Sequence, residues 1–472
     1  MKIPKRNTEN WSTLLGALSA VPLLVWWAGW FPGIMSSDSI DQWNQALTFD
    51  FYSIHPITHT ASLWAVSAVW ESPGAVALVQ VVLTAGLLAL VSRRLVQLGV
   101  YQWLAIGSVW VIAMLPMTGA MTVTIWKDVP FSLAMLWVAT ELMLMARDRL
   151  TYWSTLAGPV RLGIGLGLMW ALRANGILTA VAMFVVLLVA FRTHWQKLLI
   201  SGAGLLIVGV ALPAVLLTAL PVTQQTFEPA AVFMPDVAAV FVHDPTALSE
   251  EDLELMAQIA PLEVWNNRYS CGDSAPLVFD AEYDYGAIVG SPSDYQGLVI
   301  RSALASPLTV IGHRWCAGEY LISPFNRTNT FVHRPRFGIW PNTLGLERSP
   351  LSDRAYATTL WAYQAIEKSW IEWLTWRPAL FVLAGLITYA GIAFRRRLRP
   401  LLWMGAFYVI HLLNVFATSP SHEFRYAYGL YLISLVSLPL WYLVAYPTRA
   451  AIDDHQAHED ARQDRPISES EG

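Results

Sequence analysis

The chain has 472 residues, 55% of them hydrophobic and only 14% charged, with a mean hydropathy of +0.44. A soluble protein is about one quarter charged, so this composition excludes an ordinary soluble globular domain. The net charge of −4 points away from a nucleic-acid partner, and two cysteines are too few for a disulfide scaffold or, alone, a zinc site.

Apolar runs recur near 12–31, 74–92, 103–120, 129–146, 159–172, 175–191, 198–220, 376–394, 401–418 and 425–446. Each approaches the length of a bilayer-spanning helix, so the expected fold is an all-α polytopic membrane protein of about ten transmembrane helices. The 23 Trp suit the membrane–water interface. The N-terminal MKIPKRNTENW resembles the basic start of a signal peptide. The run after it is long and lacks a small-x-small cleavage site before Pro32, so it reads as an uncleaved anchor. The segment 57–70 is apolar but short, and reads as interfacial.

Basic residues fix the sidedness. Lys2, Lys5, Arg6, Arg93, Arg94, Arg147, Arg149, Arg192, Lys197, Arg395, Arg396, Arg397 and Arg399 fall on one set of span ends. The opposite ends carry only Lys127, Arg173 and Arg425. The first set is therefore cytoplasmic, as are both termini. Four parts follow. Residues 1–220 form an N-terminal transmembrane core with a first external loop at 32–73. Residues 221–372 form an extracytoplasmic domain of mixed structure between spans 7 and 8. Residues 373–446 are the C-terminal spans, and 447–472 an acidic, polar tail expected to be disordered. Cys271 and Cys316 both lie in the external domain, where an oxidising compartment would bridge them. Ser249 with Asp252 three residues on reads as the capped start of a short helix.

Four polar features share the external side. In the first loop, a helix over 38–46 would place Asp38, Asp41, Gln42 and Gln45 on one face, toward a sugar. Asp38 could equally be an N-cap with Asp41 as its partner. His55 and His59, spaced i, i+4 with Pro56 between, suit substrate hydrogen bonding, a structural role or, with an Asp, a metal. Lys127 and Asp128 open the fourth span, where Lys127 could simply snorkel. Arg173 and Asn175 lie between the fifth and sixth spans. His422, Glu423 and Arg425 open the last, where Glu423 and Arg425 could be a local ion pair. Lys127, Arg173 and Arg425 together could hold a phosphate at headgroup level. Charged groups at such depths usually mark a site or pathway.

The segments PGIMSSDSIDQWNQA, HPITHT, WKDVPFSL and SHEFRYAYGLYL resemble those of the GT-C-fold membrane glycosyltransferases. That superfamily includes the protein O-mannosyltransferases and the lipid A aminoarabinose transferase. The segments are most similar to a group of bacterial membrane proteins placed in it. The resemblance covers the first seven spans and the final hairpin. It implies a GT-C-like fold in the plasma (inner) membrane, with an extracytoplasmic active site. It also implies transfer of a hexosyl or pentosyl group from a polyprenyl-phosphate donor to a glycan, lipid or protein acceptor. This chain departs from the O-mannosyltransferase pattern in having Asp38-Ser-Ile-Asp41 instead of an adjacent Asp-Glu pair. Ile57 also stands where a second proline would follow His-Pro, and the 221–372 region matches no module of known type.

On this resemblance Asp38, then Asp41, would serve as the base on the acceptor hydroxyl. Lys127, Arg173 and Arg425 would take the phosphate. Asp128, His55, His59 and Glu423 would orient acceptor or sugar, with a divalent metal as an open option. Two rivals remain. A glycan polymerase or ligase would place its chemistry on His313, Arg314, His333, Arg334 and Arg336 of the external domain. A lipid or solute transporter would carry polar groups deep inside its spans and a pseudo-symmetric repeat.

Overall fold

The computed structural model describes residues 5–224, 228–326 and 330–446; Lys2 and the tail beyond 446 lie outside them. Helices form at all ten apolar runs. Six of them are long and apolar enough to cross a membrane: Glu9–Gly29, Pro73–Leu98, Asp128–Arg147, Arg192–Ala219, Arg396–Thr418 and Phe424–Ala445. A seventh is broken, Gln102–Met114 and Pro116–Thr122 meeting at 65°. Pro116 forces Leu115 out of the helical region, which places the break there. The remaining three, Ala157–Leu172, Gly176–Ala190 and Ala379–Ala393, have 15 or 16 residues, about 24 Å at most. The chain is an integral membrane protein of helices.

Packing follows from small residues. A Cβ at Gly163 would collide with the Ser201 carbonyl, so glycine lets the Ala157–Leu172 helix press directly on the Trp195–Leu206 segment, as close helix pairs in membranes do. The Asp128–Arg147 helix is the central post. It packs against Pro73–Leu98, Ala157–Leu172 and the start of the last span, and its side chains are nearly all buried.

Between the Arg192–Ala219 span and the Ala379–Ala393 helix the chain has a second core of Met234, Val237, Trp265, Tyr295 and Leu298. This region is helical, not mixed. Among the described residues its only strand is Val222–Gln224, paired in parallel with Phe51–Tyr52 of the first loop. The physical reason is proline placement. Pro229, Pro235, Pro292 and Pro307 each sit at the first turn of a helix, where the missing N–H costs nothing. Ser249 and Asp252 close a reciprocal capping box. Cys271 and Cys316 form a disulfide, Cα–Cα 5.7 Å.

The first loop is fixed from both sides. Ile34 N–H donates to the Val123 carbonyl and the Ile34 carbonyl accepts from Ile125 N–H, both at 3.0 Å. Met35 exchanges backbone bonds with Gly338 and Trp340 at 3.1 and 3.0 Å. The stretch before the first-loop helix is thereby wedged between the turn that carries Lys127 and a loop of the 221–372 region.

Candidate functional site

The first-loop helix runs Ser37–Thr48, and its cap is Ser36 with Ser39, whose Oγ accepts the Ser36 N–H at 3.3 Å. Neither Asp38 nor Asp41 caps it. The two serines satisfy the end, and both carboxylates are left for other partners. The expected shared face is only half correct. Gln42 and Gln45 are each 1% exposed and turned inward: Gln42 bonds His59, and Gln45 holds Asp41 at 2.9 Å and the Tyr52 N–H at 3.2 Å. Both amides are consumed by the loop and are not offered to a sugar.

Asp38 meets Arg425, 387 residues away, at 3.0 Å. Arg425 also pairs with Glu423, and its guanidinium lies over the rings of Trp126 and Tyr426 at 5.1 and 5.2 Å. Trp126 is itself anchored by its indole N–H on Ser36 Oγ at 2.8 Å. Lys127 Nζ donates to His55 Nδ1 at 2.9 Å, and His55 Nε2 faces Asp41 at 3.9 Å. One layer behind, Arg173 and Asp128 form an ion pair at 2.9 Å, with side chains 10% and 1% exposed. Arg173 also lies 4.6 Å over Tyr426. Segments around 38, 55, 127, 173 and 425 thus share one cluster at one end of the bundle.

The electrostatics separate the two first-loop acids. Burial alone would raise the Asp38 carboxyl, but the charges of Arg425 and Lys127 outweigh it and hold it below the ordinary value. Asp41 moves the other way: burial raises it, Gln45 offsets part of this, and the Asp38 charge adds to it. Both Asp41 oxygens have donors, Gln45 on one and the Tyr52 hydroxyl on the other. Only one Asp38 oxygen is bonded. Burial and Lys127 push His55 down to about 4, so its ring is neutral and Nδ1 can accept from Lys127. Burial lowers Lys127 as well, against the pull of Asp128 and Asp38.

Two expectations need correction, the pairing of the histidines and the placement of His422 and Asn175. His55 precedes the Ile57–Ser67 helix, whose N-cap is Pro56, so the two histidines do not share a helical face. His59, 2% exposed and pushed down to about 3 by burial, bonds Gln42 instead of joining His55. No group of three His, Cys, Asp or Glu side chains converges as a metal site would require among the described residues. His422 and Asn175 face away from the cluster. His422 is fully buried, bonds the Cys316 carbonyl at 2.9 Å and stacks on Tyr320. Asn175 bonds Thr418 at 3.0 Å and receives Asn414 on its carbonyl. Tyr52, and the rings of Trp126 and Tyr426 as platforms for Arg425, escaped the sequence reading. Trp126 and Tyr426 each adjoin a charged residue in the quoted segments, but a cation–π contact across about 300 residues leaves no spacing signal.

The residues expected of a polymerase or ligase do not converge either. Arg314 pairs with Asp236, His313 bonds Tyr269 at 3.0 Å, His333 bonds Asp273 at 3.1 Å, Arg334 takes Glu367 and Arg336 stacks on Trp340.

Fold and site together define a helical membrane protein with a charged, partly exposed cluster where several spans end. A family of unknown function (DUF6020) matches residues 55–277. No curated protein matches. Among solved structures, the chain is similar to the archaeal oligosaccharyltransferase AglB from Archaeoglobus fulgidus in complex with an inhibitory peptide and a dolichol-phosphate. The identity is 13% and the TM-score 0.40, over 98% of this chain and 52% of that one. The apo form of the Archaeoglobus fulgidus oligosaccharyltransferase gives 13% identity and a TM-score of 0.39, over 96% and 52%. The chain spans about half the length of these structures.

Proposed function

We propose that the protein is a GT-C-type glycosyltransferase of the plasma (inner) membrane. It would move a hexosyl or pentosyl group from a polyprenyl-phosphate donor to an acceptor on the extracytoplasmic side. The observation that supports the reading is the convergence of Arg425, in an ion pair, and Lys127, within electrostatic reach, on Asp38, which is a third exposed. In this reading Asp38 is the base. Arg425 keeps it ionised, and its second oxygen is free to take the proton of an acceptor hydroxyl. As the acceptor oxygen attacks the anomeric carbon, the bond to the lipid phosphate breaks. Lys127, whose contact is a neutral imidazole and not a carboxylate, takes the departing phosphate charge. Arg425 is the second cation there. Arg173 is committed to Asp128, and the pair holds the floor of the site. Asp41, with both oxygens engaged, orients His55 and through it Lys127.

The test is turnover of an undecaprenyl-phosphate-linked hexose by purified full-length protein. Release of undecaprenyl phosphate should fall by at least about a hundredfold in Asp38→Asn, the scale of a lost general base. Turnover at the wild-type rate in folded Asp38→Asn protein would remove Asp38 from the base role.

A further inference from the structure

External arginines are few, and most face an acid: Arg173 with Asp128, Arg268 with Asp280, Arg301 with Asp252, Arg314 with Asp236, Arg334 with Glu367, Arg377 with Glu319 and Arg425 with Asp38. Arg336, Arg348 and Arg354 have no ion pair among the described residues, and of these Arg336 and Arg348 lie over aromatic rings. Among the described residues neither makes a side-chain hydrogen bond or ion pair: Arg336 lies 5.0 Å over Trp340, and Arg348 lies 4.2 Å over Tyr356. Arg348 lines a cleft of about 480 Å³ together with Phe337, Trp340 and Glu347, among others, and Arg336 reaches that lining through its stacking on Trp340. That volume falls within the roughly 300–1,000 Å³ of small-molecule sites. A guanidinium parked on a ring keeps its planar fork oriented and its N–H donors free.

The cleft is preformed. Asn342 ties its loop together with four bonds, donating to the Trp340 and Leu346 carbonyls and accepting from the Leu344 and Leu346 N–H groups. Gly338 and Gly345 take positive φ, 76° and 69°, at its two bends, which a side chain would strain. Ile339, Leu344 and Leu346 pack on the same small core as Trp43 of the first-loop helix. The backbone bonds from Gly338 and Trp340 to Met35 tie the cleft's loop to a point three residues of chain before Asp38, a stretch of at most about 11 Å.

We infer that this cleft is a subsite for the negatively charged part of the acceptor, a glycan bearing carboxylate or phosphate groups, with Arg336 and Arg348 as its ligands. This rests on the transferase reading. A glycan hydroxyl at Asp38 leaves the next part of the same molecule beside Trp340. The aromatic walls fit sugar faces, and the two free guanidiniums select for negative charge over neutral sugars. Glu347 is the one acid in the lining, and it disfavours a second anion on its side of the cleft.

The experiment is calorimetric binding to full-length protein in nanodiscs, with trigalacturonate, its methyl ester and a glycerol-phosphate oligomer as probes. We expect trigalacturonate or the phosphate oligomer to bind at least about tenfold more tightly than the uncharged ester. The stronger of the two anions identifies the group recognised. Arg336→Ala/Arg348→Ala should abolish that preference, and Arg336→Lys/Arg348→Lys should restore part of it. Equal affinity for acid and ester, no binding of either anion, or an unchanged preference in the double alanine variant would each overturn the subsite. The transfer assay separates the two readings. Transfer from undecaprenyl-phosphate hexose to an anionic acceptor, at wild-type kcat/KM in the double alanine variant, overturns the subsite and leaves the proposed function standing. Charge-selective binding by a protein that never turns over the donor does the reverse.

Discussion

Asp128→Asn tests whether the Arg173–Asp128 pair is the structural floor of the site. The charges are 2.9 Å apart, and the carboxylate is 1% exposed. At an effective dielectric of about 20 their gross attraction is about 6 kcal/mol. Most of this offsets the cost of desolvating both ions. What the substitution reads is the penalty of leaving the guanidinium buried without its partner, about 3–5 kcal/mol for pairs of this kind. Arg173 keeps Tyr426 and Phe131 at 4.6 and 5.6 Å in both proteins, so these contacts cancel and the net cost should be about 3–5 kcal/mol. Chemical unfolding in detergent micelles, followed by tryptophan fluorescence, reads this directly. Asp128→Leu combined with Arg173→Met should recover most of the loss, because an apolar pair leaves no orphaned charge. A cost under about 1 kcal/mol for Asp128→Asn, or a double variant no better than the single, would refute the assignment.

Asp38 should behave in the opposite way. Its side chain is 32% exposed, and Arg425 retains Glu423 and two aromatic faces without it, so Asp38→Asn should cost less than about 1 kcal/mol while abolishing turnover. Lys127→Met should weaken binding of undecaprenyl phosphate at least about tenfold in a direct titration; unchanged affinity would remove Lys127 from the phosphate role. His55 is held neutral, at about 4 against the usual 6.5. Between those values the unfolded chain binds a proton that the folded chain does not, so stability is lost as pH falls from about 6.5 toward about 4. His55→Asn should flatten that slope in unfolding measured across the window, and an unchanged slope would count against it. The Cys271–Cys316 bridge closes a loop of 45 residues, and replacing both cysteines by serine should lower stability by about 2–4 kcal/mol. Two titratable thiols in denatured, unreduced protein would show that no bridge forms.

The sequence by itself determined the class of molecule and that its few polar segments gather at one end of the bundle. Apolar runs of span length and the distribution of Lys and Arg are one-dimensional signals, because the bilayer imposes length and charge rules on each segment separately. The same rules made Lys127, Arg173 and Arg425 conspicuous, being cations where cations are few. Span lengths were less legible, since a broken helix at Pro116 and three helices of 15–16 residues depend on how neighbours pack. Tertiary structure alone decided the partners. Asp38 could have capped its helix; Ser36 and Ser39 do so instead, and the carboxylate is freed for Arg425. Gln42 and Gln45 share the expected face but spend their amides inside the loop. His422 and Asn175 sit beside the right residues in sequence and face elsewhere. A buried polar group takes whichever partner the fold brings within hydrogen-bond reach, and between residues hundreds of positions apart no local pattern records that choice.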